Sequence, residues 1–351
     1  CLSRGLGDVY KRQARRRKSG SRRNISVPTS VKTYKEMRRN RFQNKVATSN
    51  FTLPVAAFLT TLLWCAEGIY TPDRILGWAV CGLTAYFWVE TNNAHSLIRI
   101  RSRLTPAIYL WMTGCIFSLH PLQDGLIVSC LMLASYYLLF KSYQRTEAVS
   151  PIFHSFLCLG IGSLFFPQLL FFAPFYLWYA TVYLRSLTWR TFWAAMTGLI
   201  LPYWLMAGYF LYTEDFSRFI GHFRELILFQ PIHYENYRNL DFLQISTIGL
   251  VAVFTFIAAQ HCIRTSFNDK IRTRMFLYLI LTQELLIALF MALQPVHFQV
   301  LLGLLVMNSA PILSHYFALT GSRFTRAVFV LFLFMFAALS FLNVWTQWLT
   351  F

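Results

Sequence analysis

From residue 51 onward the chain alternates between apolar runs and short polar connections. The runs fall at 51–67, 75–92, 104–119, 125–140, 152–166, 169–184, 191–212, 243–263, 275–293, 298–318 and 327–347. Apolar runs of about 18 or more residues with few charges read as membrane-spanning helices. The pattern therefore predicts an all-α protein, a polytopic transmembrane helix bundle of about eleven spans. Four runs (104–119, 125–140, 152–166 and 169–184) are short, since about 20 residues cross a ~30 Å hydrocarbon core. Such helices must snorkel, thin the bilayer or sit inside the bundle. Pro121 and Pro167 place a turn within each pair, which predicts helical hairpins rather than single long helices.

Charge orients the bundle, because loops on the cytoplasmic side carry the Lys and Arg excess. Arg99, Arg101, Arg103, Lys141, Arg145, Arg185, Arg190, Arg264, Lys270, Arg272, Arg274, Arg323 and Arg326 fall in alternate connections. The intervening ones hold only Arg74, Arg218, Arg224 and Arg238. The expected topology has the N-terminus in the cytoplasm and the C-terminus outside. Residues 213–242, with five acidic and three basic residues, form the largest outer segment.

Composition agrees with a membrane protein and then complicates the charge. Apolar residues make up 56% of 351 and charged residues 13%, against about 25% charged in soluble domains. The formal net charge of +18 would suggest nucleic acid, but 15 of the 32 Lys and Arg precede residue 46. The opening "CLSRGLGDVYKRQ" has no initiator Met and resembles a read-through of sequencing-adapter DNA. Residues 1–36 are thus expected to be a non-native or disordered basic extension, with 1–13 the adapter-like part and Met37 the start. From Met37 onward 21 Lys and Arg face 12 Asp and Glu, a net of +9. Residues 37–50 then form a cytoplasmic basic arm and 51–351 one integral membrane domain, with an outer amphipathic segment at 214–242. The expected partner is the lipid bilayer, not nucleic acid. Oligomeric state is not legible.

The cysteines inside the apolar runs stand singly, with no CxxC or Cys/His spacing, and read as packing residues. No metal site and no cofactor is identified. Glu284, ten residues into "MFLYLILTQELLIALFMALQ", is the main candidate, because a carboxyl at mid-bilayer marks function by default. A hairpin would bring Gln283, Glu284, Asn308 and Ser309 to similar depth. Such a set is either a proton or ligand site, or an interhelical hydrogen-bond clasp. Glu67, Asp73 and Asp124 fall in the first two outer loops. They read as solvated loop carboxylates or as a general base and ligands for a divalent metal. In the outer segment Phe216, Phe219, Ile220, Phe223, Leu226 and Ile227 recur at helical spacing. Such a face either lies in the headgroup layer or caps the bundle. Pro231 ends that helix, and Tyr234 and Tyr237 follow with flat faces suited to sugars or headgroups. Gly160 and Gly162 in "LGIGS" suit close helix approach.

The stretches "RLTPAIYLWMTGCIFSLHP", "YYLLFKSYQ" and "FLCLGIGSLFFPQLLFFAPFYLWYATVYLRSLTWRTFWAAMTGLILPYW" resemble an uncharacterised family of polytopic bacterial inner-membrane proteins, a domain of unknown function. This likeness spans about 97–213 and implies an inner-membrane, cell-envelope location without an assigned activity. A remoter similarity is to C-type glycosyltransferase-like membrane proteins acting on polyprenyl-phosphate sugars. It implies a base or metal role for Glu67 or Asp73, supported by Asp124. This sequence departs from that fold in having a first outer loop of only a few residues. Three functional readings follow. The first is handling or scaffolding of lipid-linked material, with polyprenyl-phosphate or glycolipid as partner. The others are glycosyl transfer, which would bring in a divalent metal, and transport through a Glu284 site.

Overall fold

A computed structural model describes residues 42–68, 71–100, 102–227, 237 and 240–350. The extension 1–36, the start at Met37, Arg101, Pro231, Tyr234 and Arg238 lie outside the described residues. The chain divides into two units, residues 1–45 and 46–351. A short helix α1 covers Phe42–Thr48.

The second unit is helical throughout its described residues. Its helices are α2 (Thr52–Glu67), α3 (Pro72–His95), α4 (Leu104–Cys115), α5 (Asp124–Phe140), α6 (Val149–Phe165) and α7 (Ala173–Val182). They continue as α8 (Trp189–Tyr212), α9 (Phe216–Ile227), α10 (Phe242–Thr265), α11 (Ile271–Leu293), α12 (Phe298–Leu319) and α13 (Arg323–Thr350). Local signals set several ends. Pro72 opens α3 where its missing N–H costs nothing. Capping boxes at Thr188 with Thr191 and at Asp241 with Gln244 open α8 and α10. Gly68, at φ 98°, closes α2 in the left-handed region open to glycine.

Every apolar run holds a helix, yet two runs differ from expectation. Run 104–119 is the 12-residue α4 followed by a 3-10 turn at Phe117–Leu119. Run 169–184 begins as a 3-10 turn, Pro167–Phe172, before the 10-residue α7. Proline lacks the amide that a continuing helix needs, and Pro167 and Pro174 stand at these starts. At about 1.5 Å per residue, α4 and α7 reach roughly 18 and 15 Å, short of a ~30 Å core. Among the described residues five helices are long and apolar enough to cross a membrane: α8, α11, α10 with its following turn, α12 with its preceding turn, and α13.

The core is built around α12, in which 19 of 22 residues are buried, with α10, α11, α4 and α5 packed on it. A helix apolar on every side belongs in the interior, and α4 follows the same rule with 11 of 12 buried. The peripheral helices turn large apolar side chains outward, among them Ile200 and Trp204 on α8, Phe256 on α10 and Phe334 on α13. That inversion suits a surface bathed in lipid. Glycines let two crossings close. A Cβ added at Gly303 of α12 would stand 2.9 Å from the Gly125 carbonyl oxygen of α5. One added at Gly160 of α6 would stand 2.9 Å from the Leu199 carbonyl oxygen of α8.

Candidate functional site

Glu67, expected as a solvated loop carboxylate, is instead locked inside one end of the bundle. The last turn of α2 aims it at His120, and its carboxylate pairs with the His120 Nδ1 and, at 3.2 Å, with Arg74. Arg74 Nη1 also donates to the carbonyl oxygens of Glu67 and Gly68, both at 2.8 Å, and so straps the short connection shut. Trp64 stacks on the fully buried His120 at 3.8 Å, and its Nε1 donates to the Arg74 carbonyl. A buried carboxylate is tolerable only when paired and hydrogen-bonded, and this one is both. It is committed to holding α2, α3 and the 116–123 connection together.

Asp73 and Asp124 are exposed. Each stands in the first turn of its helix, α3 and α5, where a negative charge meets the positive end of the helix dipole. The Leu122 N–H donates to the Asp73 carbonyl at 2.9 Å, so both loops do gather at the same end. Among the described residues no group of three or more His, Cys, Asp or Glu is placed to hold a metal ion.

The mid-depth set divides in two because neighbouring residues on a helix point about 100° apart. Glu284 faces α12, where Asn308 Nδ2 donates to its Oε2 at 2.9 Å and to the Ile280 carbonyl at 2.8 Å. Tyr136 of α5 donates to Asn308 Oδ1 at 3.1 Å. Gln283 turns away toward α7 and accepts from the Tyr179 hydroxyl at 2.8 Å. Ser309 is a correction. It bonds back to the Val306 carbonyl and lies against Met112 of α4, on the side of α12 away from Glu284.

Glu284 also opens onto a cavity of about 920 Å³. Helices α10 and α11 each pack on α12 but scarcely on each other, and the cavity is the groove between them. Among the described residues its only polar side chains are Tyr237 near one end, Thr255 and Glu284. The Thr255 hydroxyl is buried without a hydrogen-bond partner among the described residues. Val253, Phe256 and Leu285 on the walls are more than half exposed, so the groove opens sideways on the outer apolar surface of the bundle. Gly249 lines it, and a Cβ there would meet nothing within 4 Å.

Glu284→Gln keeps an oxygen for Asn308 and is expected to leave thermal stability within about 1 kcal/mol of wild type. Glu284→Leu removes the acceptor from a buried amide and is expected to cost about 1–2 kcal/mol. Thermal unfolding in nanodiscs checks both. Equal losses from the two variants would show that Glu284 is needed as a carboxylate.

The amphipathic stripe lies on α9. Phe219, Phe223 and Leu226 are half-buried, with the Phe223 ring 5.2 Å from Tyr203 of α8. Gln168 donates to the Glu225 carbonyl at 3.2 Å and fastens the helix to the turn before α7. Phe216, Ile220 and Ile227 remain exposed. One row thus leans on the bundle while the other stays open.

Sequence reasoning missed the polar cluster at the opposite end. Asp269, just after α10, accepts from Arg99 Nε at 2.8 Å and from His315 Nε2 of α12 at 3.0 Å. Burial alone would raise Asp269, but hydrogen bonds and charge from His315 and Arg99 outweigh it and hold the carboxyl below its ordinary value. Beside it Arg272 donates to His95 Nδ1 at 3.0 Å, and Thr273 to the Ser96 carbonyl at 3.2 Å. The available signal was His315 itself, an ionisable residue inside an apolar run.

Comparison with known protein families, with curated proteins and with solved structures finds no match to this chain.

Proposed function

We propose that this protein is a multi-pass protein of the bacterial inner membrane that holds the hydrocarbon chain of a lipid or lipid-linked intermediate of the cell envelope. The groove between α10 and α11 carries this reading. It is almost wholly apolar and opens sideways where lipid would be, which suits a hydrocarbon chain better than a polar solute. The α9 helix keeps an open apolar row, Phe216, Ile220 and Ile227, available to the membrane interface. In this reading about eleven segments cross or enter the bilayer, the Asp269 end is cytoplasmic and the C-terminus is outside, as the alternation of basic connections supports.

A second reading, transport through the Glu284 site, draws on one observation. Glu284 and the unpartnered Thr255 bring hydrogen-bonding groups into an otherwise apolar groove. Glycosyl transfer would have to rest on Asp73 and Asp124, since Glu67 is engaged with Arg74 and His120.

The test is native mass spectrometry of protein gently extracted from its own membrane. Wild type is expected to carry a stoichiometric lipid adduct. Gly249→Phe, which fills open space, should fold normally and lose it at least tenfold. An adduct that survives Gly249→Phe would refute the groove as its site, and an adduct lost with Asp73→Asn would move the assignment to glycosyl transfer.

A further inference from the structure

A second cavity, of about 450 Å³, lies at the Asp269 end, where the C-terminal turns of α10 and α12 meet the start of α13. Its lining is more polar than that of the groove. Gln260, His261, Arg264, Tyr316, Ser322 and Thr325 line it beside Ile257 and Phe324, and no carboxylate among the described residues does. Tyr316 is only 3% exposed and lines the cavity, and among the described residues no hydrogen bond reaches its hydroxyl. Arg264 forms no ion pair among the described residues, whereas the neighbouring cation Arg99 is paired with Asp269. Ser322 caps α13 by accepting from the Thr325 N–H at 3.0 Å, and the first turn of this 28-residue helix lines the cavity. Arg323 and Arg326 follow in that same turn.

We propose that this pocket binds a phosphate group, carried either by an anionic phospholipid headgroup or by a soluble phosphate. An unpaired guanidinium and a free hydroxyl supply donors to a tetrahedral anion, and the helix start supplies favourable potential. The Asp269 carboxylate nearby is already engaged, paired with Arg99 and hydrogen-bonded to His315. The site stands apart from the groove reading and would survive its failure.

The experiment uses the full chain in phosphatidylcholine nanodiscs, titrated with inorganic phosphate and followed by thermal shift. In parallel, native mass spectrometry counts phosphatidylglycerol retained from mixed nanodiscs. Two variants probe the pocket: Arg264→Gln at its exposed rim, and Tyr316→Phe, which preserves shape. Arg190→Gln, another exposed arginine, controls for loss of charge alone. A phosphate-dependent rise in Tm, weakened about tenfold or more in both pocket variants, identifies a soluble phosphate. Phosphatidylglycerol retention lost in both variants, with phosphate inert, identifies a lipid headgroup. Binding of neither, or binding equally reduced by Arg190→Gln, overturns the proposal.

Discussion

Asp269→Ala is expected to destabilise the protein by about 3 kcal/mol or more, the cost of leaving a buried charge or hydrogen-bond donor without its partner. The two partners contribute unequally. The Arg99 side chain is 42% exposed and can turn to water, so its share is small. His315 is fully buried, and its Nδ1 already lacks a partner, so losing the Nε2 contact would strand the whole ring. Asp269→Asn keeps an acceptor for His315 and should lose clearly less than Asp269→Ala. Thermal unfolding in nanodiscs reads the order, and equal losses would mean that charge, not the acceptor, carries the effect.

The pH dependence follows from the sign of the shift. The folded carboxyl titrates below its unfolded value near 3.9. Its stabilisation is therefore fully present above about pH 4 and is lost as pH falls through the lower folded value. Wild type should lose this share only in acid, and Asp269→Asn should lack that part of the acid dependence.

Gly198→Ala is the second large effect expected. The added Cβ would sit 2.4 Å from the Phe153 carbonyl oxygen and 3.2 Å from the Leu157 nitrogen. Both are backbone atoms of α6, so no side chain can swing away and the helices must part. Overpacking of this kind costs about 1–3 kcal/mol or more, and the α6–α8 contact is a major one in the bundle. Gly208, on the same helix α8, has nothing within 4 Å of such a Cβ. Gly208→Ala should be neutral or stabilise by up to about 1 kcal/mol through helix propensity. Similar Tm values for the two variants would contradict the close crossing.

Much of the fold was legible in advance, and the reason is dimensional. A bilayer-length apolar run has few ways to satisfy its backbone other than a helix, so the positions of the long helices α3, α8, α10, α11, α12 and α13 follow from run length. The breaks in α4 and before α7 were less legible, because a 3-10 turn and a helix share one apolar composition. Glu284 and Asn308 were legible as a pair because consecutive antiparallel helices put them at one depth. Ser309 was not, since a one-residue offset sends a side chain to another neighbour.

The sequence by itself determined where most of the helices lie and that Glu284 sits within one of them, because these depend on the spacing of apolar residues. Only the tertiary structure decided which ionisable groups are spoken for. Glu67 meets His120 across 53 positions and Asp269 meets Arg99 across 170. Only the fold makes the groove, where α10 and α11 choose α12 over each other. Electrostatic pairing and packing act through distance in space, and separation along the chain does not encode that distance.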